Sequence, residues 1–317
     1  MAFTMHSHSG QFCPGHAKDQ LEDIVLHAIE LGYKTMGLTE HMPRTHLCDL
    51  YPDELDPDPS GALAALAPRH AAYLAEARRL QAKYAGRIEL LVGFEAEFIR
   101  ASDYAPYVRA LAADAGVDYF IGSLHHAAGG VPLDFDAAHY RRAVGAVGGS
   151  EESLQAAYYD EQLAMLEALR PRVVGHFDLV RLLSADPGRD VSLWSPELVW
   201  PRARRNLAFV AGYGGWLECN TSALRKGLDE PYPSRPVAEE WLRLGGKFTF
   251  SDDSHGIAQL ATNYSRGLDY LESLGVTELW TFERRVGNDG SKAEIVDKCV
   301  TISDFRASLK PVGAAKV

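Results

Sequence analysis

Seven short apolar, β-prone segments recur along the chain, centred near Phe3, Met36, Leu90, Tyr119, Val174, Trp216 and Phe248, and most are followed by a stretch of helical periodicity. This alternation predicts βαβ units, a parallel sheet and an α/β fold. Chains of this length can close such a sheet into one barrel, and a barrel gathers its functional groups at the C-terminal ends of its strands. The 317 residues fit one such barrel around one continuous core, so the whole chain, 1–317, is expected to be a single domain. No internal repeat, low-complexity tract or shift in composition marks a linker.

The helical stretches carry their own punctuation. Between Lys18 and Leu31, the residues Leu21, Ile24, Val25, Ala28 and Ile29 repeat at helical spacing, and Gly32 is placed as a C-terminal stop. Ser150 precedes Glu151 and Glu152 as an N-cap, with Leu154, Tyr158, Leu163, Leu166 and Leu169 as the expected buried side. Ser195-Pro196-Glu197 reads as a second helix start, which Pro201 must kink or restart. Two stretches break the pattern, Pro43 to Pro59 and Pro132 to Gly149, and are expected to be active-site loops.

Histidines and acids fall at six of the seven strand ends. His6 and His8 follow the first, with His16 close behind; Glu40 and His41 follow the second, and Glu95 and Glu97 the third. His125 and His126 follow the fourth, His176 and Asp178 the fifth, and Asp252, Asp253 and His255 the last. Residues two apart on a strand share a face, so His6 with His8, and Asp253 with His255, converge on one point. One His-x-His pair alone is weak evidence, because surface histidines cluster by accident. Groups on six of the seven strand ends are strong evidence for metal. Imidazole and carboxylate donors suit zinc, iron or manganese, and the groups outnumber what one ion accepts, which implies two or three divalent ions with Glu95 as the bridging carboxylate. His27, His46, His70 and His139 are expected to be solvated or structural, His126 has no settled role, and Asp252 is expected to orient its loop. Glu40 and Glu97 are expected to support the ligands or touch substrate.

Charge narrows the partner. A net charge of −11 disfavours nucleic acid and acidic membranes, so an anionic substrate needs a local positive site, which bound cations supply compactly. Arg44, Arg181 and Arg225 follow strand ends, and guanidinium forks match phosphate, with Asn220 and Ser222 adding neutral hydrogen bonds. Four well-separated cysteines form no pair motif and the N-terminus has no leader pattern, so a cytoplasmic protein is expected.

The motifs Met5-His6-Ser7-His8-Ser9, Thr39-Glu40-His41, Gly93-Phe94-Glu95, Gly122-Ser123-Leu124-His125, Gly175-His176 and Asp253-Ser254-His255 resemble, in order, those of the PHP (polymerase and histidinol phosphatase) family across residues 3–256. The resemblance implies a distorted (β/α)7 TIM-like barrel, a trinuclear metal site and hydrolysis of a phosphate ester. Carried over position by position, it implies metal ligation by His6, His8, His16, His41, Glu95, His125, His176, Asp253 and His255. Gln11 to Ala17, Thr39 to Arg44 and Asn220-Thr221-Ser222 look most like histidinol phosphatases of the fungal type, which implies phosphate contacts from Arg181 and Arg225 and L-histidinol phosphate as the small-molecule substrate. A hydroxide bridging two cations would attack phosphorus in line, with Glu95 and Asp253 as the catalytic carboxylates. Thr4 and Met5 stand where the wider family opens its first motif with an aspartate, and the resemblance weakens beyond Gly256, where the remaining chain is expected to close the barrel. Competing readings are a nuclease or phosphotyrosine phosphatase on the same core, or a metal-binding protein without turnover. The acidic balance opposes the first, and arginines and long loops at the mouth oppose a closed storage site.

Overall fold

The computed structural model describes residues 1–55, 57–285 and 293–310. Seven parallel strands form one sheet in strictly sequential order: β1 (Phe3–Thr4), β2 (Thr35–Leu38), β3 (Glu89–Ala96), β4 (Tyr119–Gly122), β5 (Val173–Val174), β6 (Trp216–Asn220) and β7 (Lys247–Ser251). All seven lie where the apolar segments predict them. The sheet curls until its edges meet: the amide of Met5 donates to the Phe250 carbonyl at 3.3 Å, that of His8 to the Ser254 carbonyl at 2.8 Å, and Ser7 bridges Ser254. Sequential order with helical crossovers yields a nearly closed α/β barrel. Every residue of β2 and β6 is buried, as expected of parallel strands covered on both faces.

Alternation sorts the two faces. On β3, Phe94 packs outward against His70 of the long helix Pro59–Lys83, while Glu95, and Glu97 just past the strand, face the opposite way, into the upper barrel. The lower barrel is filled by Tyr119, whose hydroxyl donates to the Met5 carbonyl at 2.5 Å. Gly37 makes room for it, since a Cβ there would collide with that hydroxyl and lie 2.8 Å from the Met5 oxygen. Beyond β7, an antiparallel ribbon, Glu278–Arg285 with Glu294–Thr301, brings Phe282 against Tyr119 and Trp216 at ring separations of 5.4 and 4.7 Å. The following helix, Ile302–Ser308, seats Phe305 on Phe3 of β1 and Phe250 of β7, covering the seam between the first and last strands.

Three local expectations change. The helix capped by Ser150 runs Glu151–Leu169, but its buried face includes Gln155, Tyr159 and Gln162, while Leu163 and Leu169 are only half-buried. Gln162 donates to the Phe177 carbonyl at 2.8 Å, so a polar side chain is buried here because the strand end needs a donor. Ser195 does not start the next helix; its hydroxyl accepts from the Val199 amide at 3.0 Å, and the helix begins at Trp200 with Pro201 in its first turn, where proline is tolerated. The stretch Pro132 to Gly149 is not simply a loop, because Asp136 caps a helix over Ala137–Ala146. Among the described residues no helix is long and apolar enough to cross a membrane.

Candidate metal centre

The strand ends deliver their side chains to one point at the top of the barrel. Glu95 is its hub. Its Oε2 lies 3.0 Å from His41 Nδ1, 3.3 Å from His6 Nε2 and 3.5 Å from His8 Nε2, while its Oε1 lies 3.2 Å from His125 Nε2 and 3.0 Å from His176 Nε2. One carboxylate therefore divides two sets of imidazoles. Asp253 Oδ1 stands opposite, 3.6 Å from His6 Nε2 and 3.5 Å from His8 Nε2. Three groups have ligand atoms within 4.8 Å of one another: Glu95 with His125 and His176, His6 with His8 and Asp253, and His8 with His41 and His255. His16 is in none of them. It sits exposed on the Cys13–Ala17 turn at the rim, its ring 4.5 Å from that of His255 and 5.6 Å from that of His41.

The donor set fits cations. His6 Nε2, both ring nitrogens of His8, His41 Nδ1 and His255 Nε2 are buried without a hydrogen-bond partner, an arrangement that is costly unless something else takes their lone pairs. Burial holds His8 down to about 3, with His41 adding to the effect, so its ring is a neutral donor at neutral pH. Burial opposes protonation of His6 as well, yet Glu95, Glu218 and Asp253 together outweigh it and hold its pKa well above the ordinary value. His125 is raised in the same way, burial being outweighed by Glu97 and Glu95. A cation in their midst would take over the charge that these protons carry.

A second layer orients the first, and here sequence reasoning missed a residue. Glu218 on β6 accepts from His6 Nδ1 at 2.8 Å, from the His176 amide at 2.9 Å and from Asn220 Nδ2 at 3.0 Å, and also pairs with the Ser251 hydroxyl. Holding Nδ1–H of His6 leaves its Nε2 lone pair pointing at the ligand cluster. The available signal was an acid inside a strand otherwise apolar up to Asn220. Glu97 holds His125 Nδ1 at 3.2 Å and stands 3.5 Å from His126 Nδ1. Glu40 accepts from the Ser9 amide and hydroxyl at 2.8 and 2.5 Å; burial nevertheless pushes it up to about 8. Asp252 accepts from Tyr33 at 3.1 Å and from the Ala261 amide at 2.6 Å, fixing its loop as expected.

The residues expected on substrate phosphate are held by hydrogen bonds within the chain. Asn220 and Ser222 donate to Asp253 Oδ2 at 3.3 and 3.2 Å, because the turn after β6 folds back over the Asp253 loop. Arg225 donates to the Asp252 and Asp253 carbonyls, both at 2.9 Å, under a residue whose φ of +48° is unfavourable for anything but glycine, asparagine or aspartate. Arg181 is buried across Tyr232 and donates to Asp178 at 3.1 Å and to the carbonyls of Pro187, Glu230 and Pro231 at 3.0, 3.2 and 2.7 Å. Its fork is held by protein acceptors. Arg181→Ala should accordingly cost stability, about 3–5 kcal/mol for a charge left unpaired in the interior, read as a lower midpoint in chemical denaturation. An unchanged midpoint would return Arg181 to the substrate. Arg44 lies over Tyr51 and pairs with Glu54, in the wall of a recess beside His41.

Barrel and site together define an α/β-barrel protein whose mouth gathers candidate metal-binding groups. The chain belongs to the PHP domain family, whose model matches residues 4–222. It is 37% identical over 304 residues to the probable histidinol-phosphatase of Schizosaccharomyces pombe, covering 96% of this chain and 95% of that one. It is 31% identical over 293 residues to the histidinol-phosphatase of Saccharomyces cerevisiae, covering 84% and 87%. Among solved structures, the HisK protein of Listeria monocytogenes superposes with a TM-score of 0.71 at 29% identity, covering 83% of this chain and 99% of that one. The fold is shared by the histidinol phosphate phosphatase of Lactococcus lactis, solved with zinc, L-histidinol and phosphate, at a TM-score of 0.64 and 18% identity over 92% of this chain and 98% of that one.

Proposed function

We propose that the chain is a metal-dependent phosphatase that hydrolyses L-histidinol phosphate to L-histidinol and phosphate, a step of histidine biosynthesis. The observation that carries this reading is Glu95, whose two oxygens face separate imidazole sets at the mouth of the barrel. The likeness to two histidinol-phosphatases over most of the chain supports the substrate.

In this reading His6, His8, His41, Glu95, His125, His176, Asp253 and His255 hold two to three divalent ions, and His16 completes the outermost shell from the rim. Zinc is the first choice, and iron and manganese suit the same donors. When bound, such ions polarise the phosphoryl group and lower the pKa of water. The chain's own groups do the rest. Glu95 and Asp253 fix the spacing of the ligands; Asn220 and Ser222 hold the far oxygen of Asp253, and Arg225 holds its backbone. The net charge of −11 favours a small monoester over nucleic acid. The cysteines are unpaired and suit a reducing compartment, so we assign the enzyme to the cytoplasm as one catalytic domain.

Turnover of L-histidinol phosphate, p-nitrophenyl phosphate, phosphotyrosine and a short oligonucleotide by the metal-loaded protein tests the assignment. L-Histidinol phosphate is expected to exceed the others in kcat/KM by at least about tenfold, within what a pocket shaped for one leaving group achieves. Preference for the oligonucleotide or phosphotyrosine would overturn it.

A further inference from the structure

His41 and His16 face the ligand cluster and also border a recess that extends sideways toward the long helix Pro59–Lys83. Its walls include Phe12, Met42, Leu66 and Tyr73, with Phe12 and Tyr73 edge-on at 5.6 Å. The recess offers about 50 Å³ of free space, several times the roughly 10–15 Å³ that one water needs. His70 borders it too, with only 7% of its surface exposed.

Neither ring nitrogen of His70 has a hydrogen-bond partner among the described residues. The neighbouring hydroxyl of Tyr73 does not answer it, because it donates to the Leu38 and Gly93 carbonyls at 2.6 and 2.7 Å. Burial pulls His70 down to about 4, against the opposing charge of Asp114, so the ring is neutral and offers one donor and one acceptor. A buried, unanswered imidazole is costly where an apolar side chain would not be, and the cost falls when a ligand brings the missing partner.

Of the three parts of histidinol phosphate, the phosphate belongs with cations and the ammonium with water or carboxylates. The flat, largely neutral imidazole matches the apolar and aromatic side of this recess, where both ring nitrogens of His70 stand unanswered while Arg44 and Glu54, also in the wall, are paired with each other. Resting on the function proposed above, we propose that this recess is the subsite for the substrate's imidazole and that His70 is its specificity-determining residue, hydrogen-bonding ring to ring. Recognition of this kind rejects ligands that lack the partner, because the buried group is then left unsatisfied.

The metal-loaded wild type, His70→Leu and Leu66→Phe are compared on L-histidinol phosphate and on O-phosphoethanolamine, which keeps the phosphate and ammonium but has no ring. Both variants should raise KM for histidinol phosphate by about fivefold to tenfold, the scale of one lost hydrogen bond or one filled ring site, with kcat little changed. Their kcat/KM on the ring-less substrate should stay within about twofold of wild type, as expected where no binding contact is lost. Leu66→Phe keeps His70 and fills the space, so it reports on the recess even if His70→Leu folds poorly. Equal losses on both substrates would make His70 merely structural and overturn the subsite, as would unchanged KM in both variants. Failure of the parent reading has a separate signature: wild type itself would not hydrolyse histidinol phosphate.

Discussion

Glu95→Gln is expected to reduce phosphatase turnover by at least about 100-fold while the protein stays folded, at or beyond the upper end of what changes around metal ligands cost. The substitution keeps shape and volume and removes only the charge and one acceptor. Glu95 Oε2 faces His6, His8 and His41, and Oε1 faces His125 and His176, so an amide must turn its NH2 toward one of the two sets. That NH2 has no lone pair for a cation, and the lost charge leaves the site more positive. Elemental analysis should show depleted metal, and circular dichroism should match wild type, because Glu95 lies above the apolar barrel rather than within it. A folded Glu95→Gln protein with turnover within a few-fold of wild type would remove Glu95 from the centre.

The second large effect is expected one layer out. Glu218→Gln should lower metal affinity or kcat by about 10-fold to 100-fold, the usual consequence of losing the partner that orients a ligand histidine. The carboxylate accepts from His6 Nδ1 at 2.8 Å and from the His176 amide at 2.9 Å, so two ligand positions depend on one acid. An amide oxygen can satisfy one of these donors, while the NH2 confronts the other and favours the wrong tautomer of His6. Competition against a chelator gives the affinity, and turnover at saturating metal gives kcat. If both are unchanged, the acid serves only to fill the barrel.

These two carboxylates mark how far the sequence could be read. Glu95 was legible because it ends an apolar segment in step with histidines at five other strand ends, and that pattern has no bland explanation. The strands themselves were legible even where only two residues pair, as at Phe3–Thr4 and Val173–Val174, because the motifs that follow fix their ends. Glu218 was not, since its partners follow β1 and β5 or lie on β7, and the one local signal, an acid inside an apolar strand, does not say whether it faces inward before the barrel closes. The helix over Ala137–Ala146 was hidden by its polar, glycine-containing sequence, which lacks a clear apolar stripe. The surroundings of the arginines were hidden for a related reason. Position after a strand end brings a guanidinium near the site, but tertiary contacts decide whether it meets substrate or, like Arg181, the carbonyls of a neighbouring turn.

The account stands or falls on the dependence of histidinol phosphate hydrolysis on a multinuclear centre. Protein stripped by a chelator and freed of it is titrated with zinc, manganese or ferrous iron, and phosphate release from L-histidinol phosphate is followed together with bound metal. No turnover without metal is expected, with activity rising until more than one equivalent is bound per chain. Full activity in the stripped protein, or a plateau reached at a single equivalent, would contradict the account.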